Sequence, residues 1–263
     1  MRISRKLHLF SLVCFFLCPV AAMHGQASYF SESVAAAPFA GTAKICSNFS
    51  STKLAISCSN SWEDTDSEAE VLAEGYEQAI AKNGFGTMSA YAYSFVTIVE
   101  QGTSAADSAQ ATEAIEDTLS LIGLEGQPTA FLKLDGECLQ CAKYGNYAVA
   151  EYTFEASTST VYSNICIIPV TVAGPLCANT IPIVYNVNTG QPYTIYLERG
   201  LTVSAPTDVV DGAAGATVTT TICVGSAGGC GTAGATVTAS VVNAKGEVIK
   251  GVTVVGASRH IYN

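Results

Sequence analysis

Two-residue alternation of small, β-branched and polar side chains runs through the C-terminal half of the chain. Residues 216–224 and 235–242 mix Thr with Val and Ala in this way, and residues 181–187 form an apolar run followed by Asn188-Thr189-Gly190. Successive side chains of a strand point to opposite faces, so this alternation indicates strands with one buried face. Short strands separated by turn residues at this spacing predict an all-β fold, either a sandwich or a jelly roll.

The N-terminal half is less regular. Strand-like alternation also occurs at 89–100, 130–134 and 147–154. Residues 67–83 instead carry a capping box, Ser67 with Glu70, apolar residues at helical spacing, and an Asn83-Gly84 stop. Local rules therefore predict one short helix near 67–83. Sheet context can override such local preferences, so helix and strand both stay open for this segment.

Residues 1–27 have the composition of a secretory signal peptide. Arg2, Arg5 and Lys6 precede an apolar run at 9–22, and small residues follow up to Ala27, which is the usual order in such peptides. The run is shorter than the roughly 20 residues that span a bilayer. We predict cleavage after Ala27 and no membrane association afterwards.

The mature chain is sparsely charged and acidic. Three of the 12 Lys and Arg residues leave with the signal peptide, so 9 bases face 22 acids and the net charge is −13. Such a chain repels nucleic acid and anionic membranes. Only 13% of residues are charged and 49% are hydrophobic, as in many bacterial extracellular proteins and unlike disordered chains. We expect one large β-sandwich domain over 28–263, with a candidate sub-boundary near 155–165, secreted to the extracellular space or cell surface.

Eight cysteines follow the signal peptide in four close pairs. They are Cys46, Cys58, Cys138, Cys141, Cys166, Cys177, Cys223 and Cys230. Eight cysteines allow 105 connectivities, so the sequence does not decide among them, although local pairing is the simplest. The last two pairs bracket turn residues and would be staples across short hairpin loops, each worth roughly 2–3 kcal/mol. A redox pair or half a zinc site is the alternative for Cys138-Leu-Gln-Cys141.

The sequence shows no catalytic motif. Serine and cysteine nucleophiles need an imidazole base, and His260 lies three residues from the end of the chain, where termini fray. A nucleophile elbow and a phosphate loop are both missing. Glycoside hydrolysis needs only two carboxylates, but nothing in the sequence marks such a pair. We therefore expect no enzyme activity.

Tyrosines are the first candidate ligand-binding residues. Tyr91 and Tyr93 are two positions apart, so they share one face of a strand. With Tyr144 and Tyr147 they are candidates for stacking on sugar rings, because a phenol has an apolar face and a polar tip. The alternative is that these tyrosines belong to the core or its rim.

An acidic run is the second candidate. Glu63, Asp64, Asp66 and Glu68 offer the oxygen ligands that calcium prefers, but the spacing is not that of an EF-hand loop. The alternative is a solvated acidic loop. We expect no cofactor, unless this run binds calcium.

From Pro192 onward the chain contains an ordered set of motifs. They are a Leu-x-x-Ser-Ala strand end at 201–205, an Ala/Gly-rich loop at 211–215, a Thr/Ala strand at 216–224, an Asn-x-x-Gly turn at 243–246, a Gly-Val-Thr strand at 251–255 and a terminal Ser-x-x-x-Tyr at 258–262. This order resembles the ending of secreted bacterial β-sandwich proteins of the PEP-CTERM exported type. Residues 84–90 and 116–119 are similar to recurrent strand segments of the same group.

The resemblance implies a secreted, jelly-roll-like antiparallel β-sandwich in which residues 105–122 form a strand. It implies no enzymatic activity. The chain lacks the Pro-Glu-Pro signature, the C-terminal membrane helix and the basic tail of that group, so sorting and anchoring by that system are not implied.

The expected function is that of a secreted, disulfide-stapled, non-enzymatic surface or matrix protein. The alternative is a carbohydrate-binding module that uses surface tyrosines, with or without calcium; a carbohydrate-active enzyme is a third reading. Expected partners are extracellular glycans, or other copies of the chain joined through exposed strand edges.

Overall fold

The computed structural model describes residues 28–37, 42–50, 55–82, 84, 87–124, 129–139, 148–158, 164–169, 175–185, 188, 190–192, 194–229 and 234–263. The predicted signal peptide, residues 1–27, lies outside these ranges. Within them the chain forms fourteen β-strands and one 3-10 turn, with no α-helix. No helix in this described part is long and apolar enough to cross a membrane.

The strands are β1 Ser28–Ala37, β2 Thr42–Ser50, β3 Ala55–Thr65, β4 Val71–Lys82, β5 Ser89–Ile98, β6 Thr103–Ile122, β7 Phe131–Leu139, β8 Val149–Thr158, β9 Asn164–Pro169, β10 Pro175–Pro182, β11 Ile195–Gly212, β12 Thr217–Val224, β13 Gly234–Val242 and β14 Thr253–Gly256. The 3-10 turn, η1, spans Ala227–Gly229.

The strands form three antiparallel sheets. The large sheet has the order β2-β1-β6-β11-β8-β9, with β14 also paired to β6. The four-stranded sheet is β12-β5-β4-β3, and the three-stranded sheet is β10-β7-β13. The large sheet packs face to face on the four-stranded sheet, mainly through β6 and β11 against β4 and β5. The all-β, antiparallel sandwich predicted from the sequence is confirmed.

Neighbouring strands of the large sheet come from distant parts of the chain. Strand β6 pairs with β1 on one edge and with β11 on the other, so the chain crosses over between non-consecutive strands. Strand β11 also pairs with β8, which pairs in turn with β9. Strands from both sides of the candidate sub-boundary near 155–165 therefore belong to one sheet.

The helix predicted near 67–83 is wrong. Residues Val71–Lys82 form β4, which pairs with β3 on one side and β5 on the other. Every second residue of β4 is buried, beginning with Ala73 and ending with Ala81. Hydrogen bonding on both edges and burial with a period of two outweigh a weak helix preference. The supposed capping-box residues, Ser67 and Glu70, lie in the turn before the strand.

Alanine fills much of the space between the two facing sheets. Ala109 and Ala111 of β6 are buried in the same core cluster as Ala90 and Ala92 of β5, and Ala105 is buried in a second cluster that includes Ala73 of β4. Small facing side chains let two sheets pack without voids or large rotamer changes. The Ala-rich residues 105–122 fall within β6, a strand as the resemblance implied.

A disulfide joins the two layers of the sandwich. Cys46 on β2 is bonded to Cys58 on β3, with Cα atoms 5.7 Å apart, as local pairing predicted. Strand β2 belongs to the large sheet and β3 to the four-stranded sheet. The bond therefore links sheet to sheet and does not cross-link two paired strands.

The other cysteines are only partly described. Cys223 is disulfide-bonded, but Cys230, its predicted partner, lies outside the described residues, as does Cys141. Cys166 lies on β9 and Cys177 on β10, and these strands belong to different sheets. The expected hairpin between Cys166 and Cys177 is therefore wrong, because each strand pairs with another neighbour.

Candidate aromatic binding face

The outward face of the four-stranded sheet carries a group of aromatic side chains. Tyr91, Tyr93 and Phe95 alternate along β5 with buried residues, so all three lie on the outward side. Tyr76 lies on the same side of β4, directly opposite Phe95. The structure thus places Tyr91 and Tyr93 on one face, as the spacing indicated. The other two candidate tyrosines, Tyr144 and Tyr147, lie outside the described residues.

Three of these rings form a cluster, here called the aromatic platform: Tyr76, Tyr93 and Phe95. The ring centroids are 6.2 Å apart for Tyr76 and Tyr93, 6.2 Å for Tyr76 and Phe95, and 6.1 Å for Tyr93 and Phe95. These separations lie within the favourable range for aromatic pairs. The rings are half-buried, so they support one another while keeping part of their surface exposed.

Tyr91 is held beneath a turn. A Cβ atom added to Gly228 of η1 would collide with the Tyr91 ring, and Gly228 has a φ of 60°, so glycine fits this position on both counts. Burial raises the pKa of the Tyr91 phenol, and the nearby Tyr93 and Tyr76 raise it further. Tyr91 therefore packs against the turn, whereas the other three rings form the aromatic platform.

A groove of about 390 Å³ adjoins the platform. Its outward-facing lining residues are Ser61, Glu63, Glu74, Tyr76 and Phe95. Ser61 lies opposite Tyr76, and Glu63 lies opposite Glu74, in the pairing of β3 with β4. The volume falls in the range of small-ligand sites, and the lining combines two aromatic rings with two exposed carboxylates.

Gly75 supports the groove from below. Gly75 lies opposite Trp62 on β3, and a Cβ atom at this position would come 2.5 Å from Trp62 Cε2. The indole therefore lies across the bare backbone of β4. Both residues border the groove but are buried on the inward side of the sheet, so the absence of a side chain at Gly75 makes room for the indole in the interior.

The predicted calcium ligands do not converge. Glu63 and Asp64 are consecutive on β3 and face opposite sides of the sheet. Asp66 Oδ1 accepts hydrogen bonds from the backbone N–H groups of Glu68 and Glu70, both at 2.9 Å, so it shapes the turn before β4. Among the described residues, no group of three or more His, Cys, Asp or Glu side chains could hold a metal ion.

Three acidic residues of β6 project into the interior, and the sequence reasoning missed all of them. Asp107, Glu113 and Asp117 are 2%, 0% and 3% exposed. Buried carboxyl groups need hydrogen-bonding partners, and each of the three contacts a different part of the fold. The available signal was their separation by even numbers of residues along the strand, which places all three on one face.

Asp107 is part of an interior polar layer that crosses the sandwich: Glu77, Ser94, Asp107 and Thr207. Ser94 lies beside Glu77 in one sheet, and Thr207 lies beside Asp107 in the other. The hydroxyl oxygens of Ser94 and Thr207 are 2.6 Å apart. Ser94 Oγ also donates to the carbonyl oxygen of Ala205 at 2.7 Å.

The two carboxyl groups of this layer are neighbours. The pKa of Glu77 is raised to about 8, mainly by burial and also by the adjacent Asp107, against a hydrogen bond from Asn60 Nδ2 to Glu77 Oε1 at 2.9 Å. Burial also raises the pKa of Asp107. One proton held between the pair avoids two like charges in the interior.

Glu113 binds the last residue of β4 and the first residue of β5. Its Oε1 accepts a hydrogen bond from the backbone N–H of Lys82 at 2.8 Å, and the carboxyl group also accepts one from the N–H of Ser89. The pKa of Glu113 is raised to about 8 because burial outweighs the lowering effect of these hydrogen bonds and of the nearby Arg199. Arg199 Nη2 donates to the carbonyl oxygen of Gly84 at 3.5 Å. The end of β4, the start of β5 and Gly84 between them are thus held from inside the sandwich.

Asp117 holds the C-terminal segment. Its Oδ2 accepts hydrogen bonds from Tyr262 Oη at 2.7 Å and from Ser258 Oγ at 2.5 Å, and its Oδ1 accepts one from the Ser258 N–H at 3.2 Å. Tyr262 is only 1% exposed, so the expected fraying of this end is wrong. The terminal Ser-x-x-x-Tyr motif supplies both side chains that bind Asp117.

His260 does not form a relay with these residues. The Ser258 hydroxyl donates to Asp117, and the imidazole packs edge-on against the Tyr262 ring with centroids 4.7 Å apart. Burial lowers the pKa of His260, and Arg199 lowers it further. A serine nucleophile needs the imidazole between its hydroxyl and the carboxylate, so this arrangement is structural.

Comparison of the chain with protein-family models gives no match, and comparison with curated proteins gives none. The class that the described residues define is an all-β protein of antiparallel sheets with an aromatic face and an adjoining acidic groove.

Proposed function

We propose that this chain is a secreted, non-catalytic β-sandwich protein that binds glycans through the aromatic platform. The observation that carries the proposal is the cluster of Tyr76, Tyr93 and Phe95 on an outward sheet face, beside a groove of about 390 Å³. A pyranose ring has an apolar face and a polar rim, so it packs on aromatic rings and hydrogen-bonds to phenol and hydroxyl groups at their edge. Ser61 and the phenols of Tyr76 and Tyr93 supply those groups.

Secretion is supported by the order of residues at the N-terminus and by disulfide bonding. Arg2, Arg5 and Lys6 followed by the apolar run at 9–22 have the order of a signal peptide. The Cys46–Cys58 disulfide requires an oxidising compartment to persist.

Binding without hydrolysis is supported by the setting of the groove carboxylates. Glu63 and Glu74 are both exposed on an open sheet face. A glycosidase holds its general acid in an apolar environment and places the second carboxylate across the scissile bond. Two exposed side chains on the same floor are better suited to contact a ligand than to cleave it.

A glycan array tests the proposal, using oxidised protein of residues 28–263 with and without calcium. We expect saturable binding to one glycan class, weakened about tenfold by Tyr93→Ala or Phe95→Ala, the loss expected for an aromatic contact of roughly 1.5 kcal/mol. Tyr196→Ala is the matched control, because Tyr196 is a half-buried tyrosine on β11 of the large sheet. Absence of binding by folded protein, or an equal loss with Tyr196→Ala, would contradict the proposal.

A second candidate function, a self-associating surface or matrix protein, is favoured by β12. This strand lies at the edge of the four-stranded sheet, carries no charged residue or proline, and has exposed residues from Thr217 to Thr219. Natural edge strands are usually protected by charge or proline. Sedimentation of the wild type and of Thr219→Lys tests this candidate: assembly abolished by the lysine supports it, and a wild type that stays monomeric at high concentration eliminates it.

A further inference from the structure

We infer that the groove selects amino sugars and binds their ammonium group between Glu63 and Glu74. The inference rests on the proposed glycan binding and names the ligand class of the same site. Glu63 and Glu74 are directly opposite on β3 and β4, both are exposed, and both line the groove together with Tyr76 and Phe95. No lining residue in the described part of the chain is Lys, Arg or His.

Like charges directly opposite each other on neighbouring strands disfavour the sheet. Side chains at such positions have Cβ atoms roughly 4.5–5.5 Å apart, so one cation placed between Glu63 and Glu74 contacts both carboxylates and relieves their repulsion. Two carboxylates fall short of the six to eight oxygens that calcium takes, and the described residues hold no third acid close enough to complete a metal site. A singly charged ammonium group is the better match to this pair.

The aromatic rings beside the carboxylates also favour an ammonium group as the ligand. An ammonium group is attracted to the face of an aromatic ring, and Tyr76 and Phe95 border the groove in which the carboxylates lie. An amino sugar brings both complementary parts, an apolar ring face for the platform and a cation for the acidic pair. A uronic or sulfated sugar would add a third negative charge to the groove of a chain that already carries a strong negative net charge.

Calorimetric titration with three matched tetrasaccharides tests the inference: a β-1,4-glucosamine oligomer, its fully N-acetylated form and an oligogalacturonate. At a pH where the free amines are protonated, we expect the glucosamine oligomer to bind at least tenfold more tightly than the N-acetylated one. The oligogalacturonate should bind most weakly. Added salt should reduce the preference for the amine, because the acidic pair is exposed.

Substitution of the acidic pair gives the decisive comparison. Glu63→Gln and Glu74→Gln should each reduce the preference for the glucosamine oligomer over the N-acetylated one about fivefold. The affinity for the N-acetylated oligomer should stay unchanged. Glu198→Gln is the matched control, because Glu198 lies opposite Glu116 and Glu155 in the large sheet and is therefore another acidic cluster without the platform.

The possible failures are distinguishable. If Phe95→Ala weakens binding of the N-acetylated oligomer but the glutamine variants keep the full preference, glycan binding stands and the role of the acidic pair is overturned. If none of the three oligomers binds, the proposed function itself fails. If tetralysine binds as tightly as the glucosamine oligomer and competes with it, the groove recognises ammonium groups without regard to sugar, and the amino-sugar assignment is overturned.

Discussion

At the scale of single residues, Asp117 shows how much one buried carboxylate organises. It receives three hydrogen bonds from Ser258 and Tyr262, and these fix the last segment of the chain against β6. The hydrogen bonds to such a charged group are among the stronger ones in proteins. The end of the chain is therefore an integral part of the sandwich.

Removing the partners of Asp117 tests this role. We expect Tyr262→Phe to lower the free energy of unfolding by about 1–3 kcal/mol, because a buried carboxylate loses a donor. Asp117→Ala should lower it by about 3 kcal/mol or more, since three donor groups of the C-terminal segment lose their acceptor. Urea denaturation measures both values. Ser120→Ala, at an exposed position of the same strand, is the control, and equal stability of Tyr262→Phe and the wild type would contradict the assignment.

The sequence could reveal part of the residue-level picture. The spacing of Tyr91 and Tyr93 places them on one face without reference to any other strand. The role of Asp117 could not be predicted from the sequence, because its partners are 141 and 145 positions away. Tyr76 was also missed as a platform residue, because it fell in the segment predicted as a helix and its neighbour Phe95 is defined only by the pairing of β4 with β5.

At the scale of elements, the interior polar layer fixes the alignment of β4 and β6. Shifting either strand by one residue would turn Glu77 or Asp107 to the opposite face. Such a shift would leave the other carboxyl group buried without its neighbour, which is strongly unfavourable. The layer therefore specifies the register of an alanine-rich interface whose small side chains would otherwise discriminate poorly between registers.

Two buried glutamates, Glu77 of the polar layer and Glu113, also predict how stability changes with pH. Glu77 and Glu113 keep their protons in the folded state up to a pKa of about 8, whereas an ordinary glutamate has a pKa of 4.5. Between these values the unfolded chain releases protons that the folded chain retains, so stability falls as pH rises and levels off above about pH 8. Below pH 4.5 these two residues add no further change.

Urea denaturation across this pH range, followed by the fluorescence of Trp62, checks the prediction. Trp62 is the single tryptophan of the chain. Glu77→Gln should make the decline shallower, because the amide has no proton to lose. Glu100→Gln, at an exposed turn position, should leave the slope unchanged. A wild-type stability that rises steadily from pH 5 to pH 8 would contradict the prediction.

The sequence predicted those strands whose own residues alternate, and it failed for the strand whose structure is decided by its neighbours. The alternation in residues 89–100 and 235–242 identified β5 and β13 closely, because one face of each is buried. Residues 67–83 contain small, acidic and apolar side chains that satisfy both helical and strand periods. Only the presence of β3 and β5 on either side decides for a strand, and a single sequence carries no information on those neighbours.

At the scale of the whole molecule, the layers are joined covalently as well as by packing. The Cys46–Cys58 bond closes a loop with a sequence separation of 12 between the large and four-stranded sheets. We expect the double variant Cys46→Ser/Cys58→Ser to lose about 2–3 kcal/mol of unfolding free energy while keeping its β-sheet circular dichroism. Chemical denaturation measures the loss, and a double variant as stable as the oxidised wild type would contradict it.

The class of the fold could be predicted from the sequence, but its sheet order could not. Periodicity identifies strands such as β12 but gives no information on which strands they pair with. The adjacency of β1, β6 and β11 is a long-range property, and so are the bonds by which the three acids of β6 hold separate parts of the chain.

The position of β6 has a kinetic consequence. One edge of β6 pairs with β1 and β14, and the other pairs with β11, so the strand at the centre of the large sheet needs neighbours from both ends of the polypeptide. Contacts so distant in sequence make folding slow. On a growing chain, β6 can associate with β1 early, but its other edge stays open until β11 has been synthesised. Closure of the sandwich is therefore a late event, completed only when residues 253–263 reach Asp117.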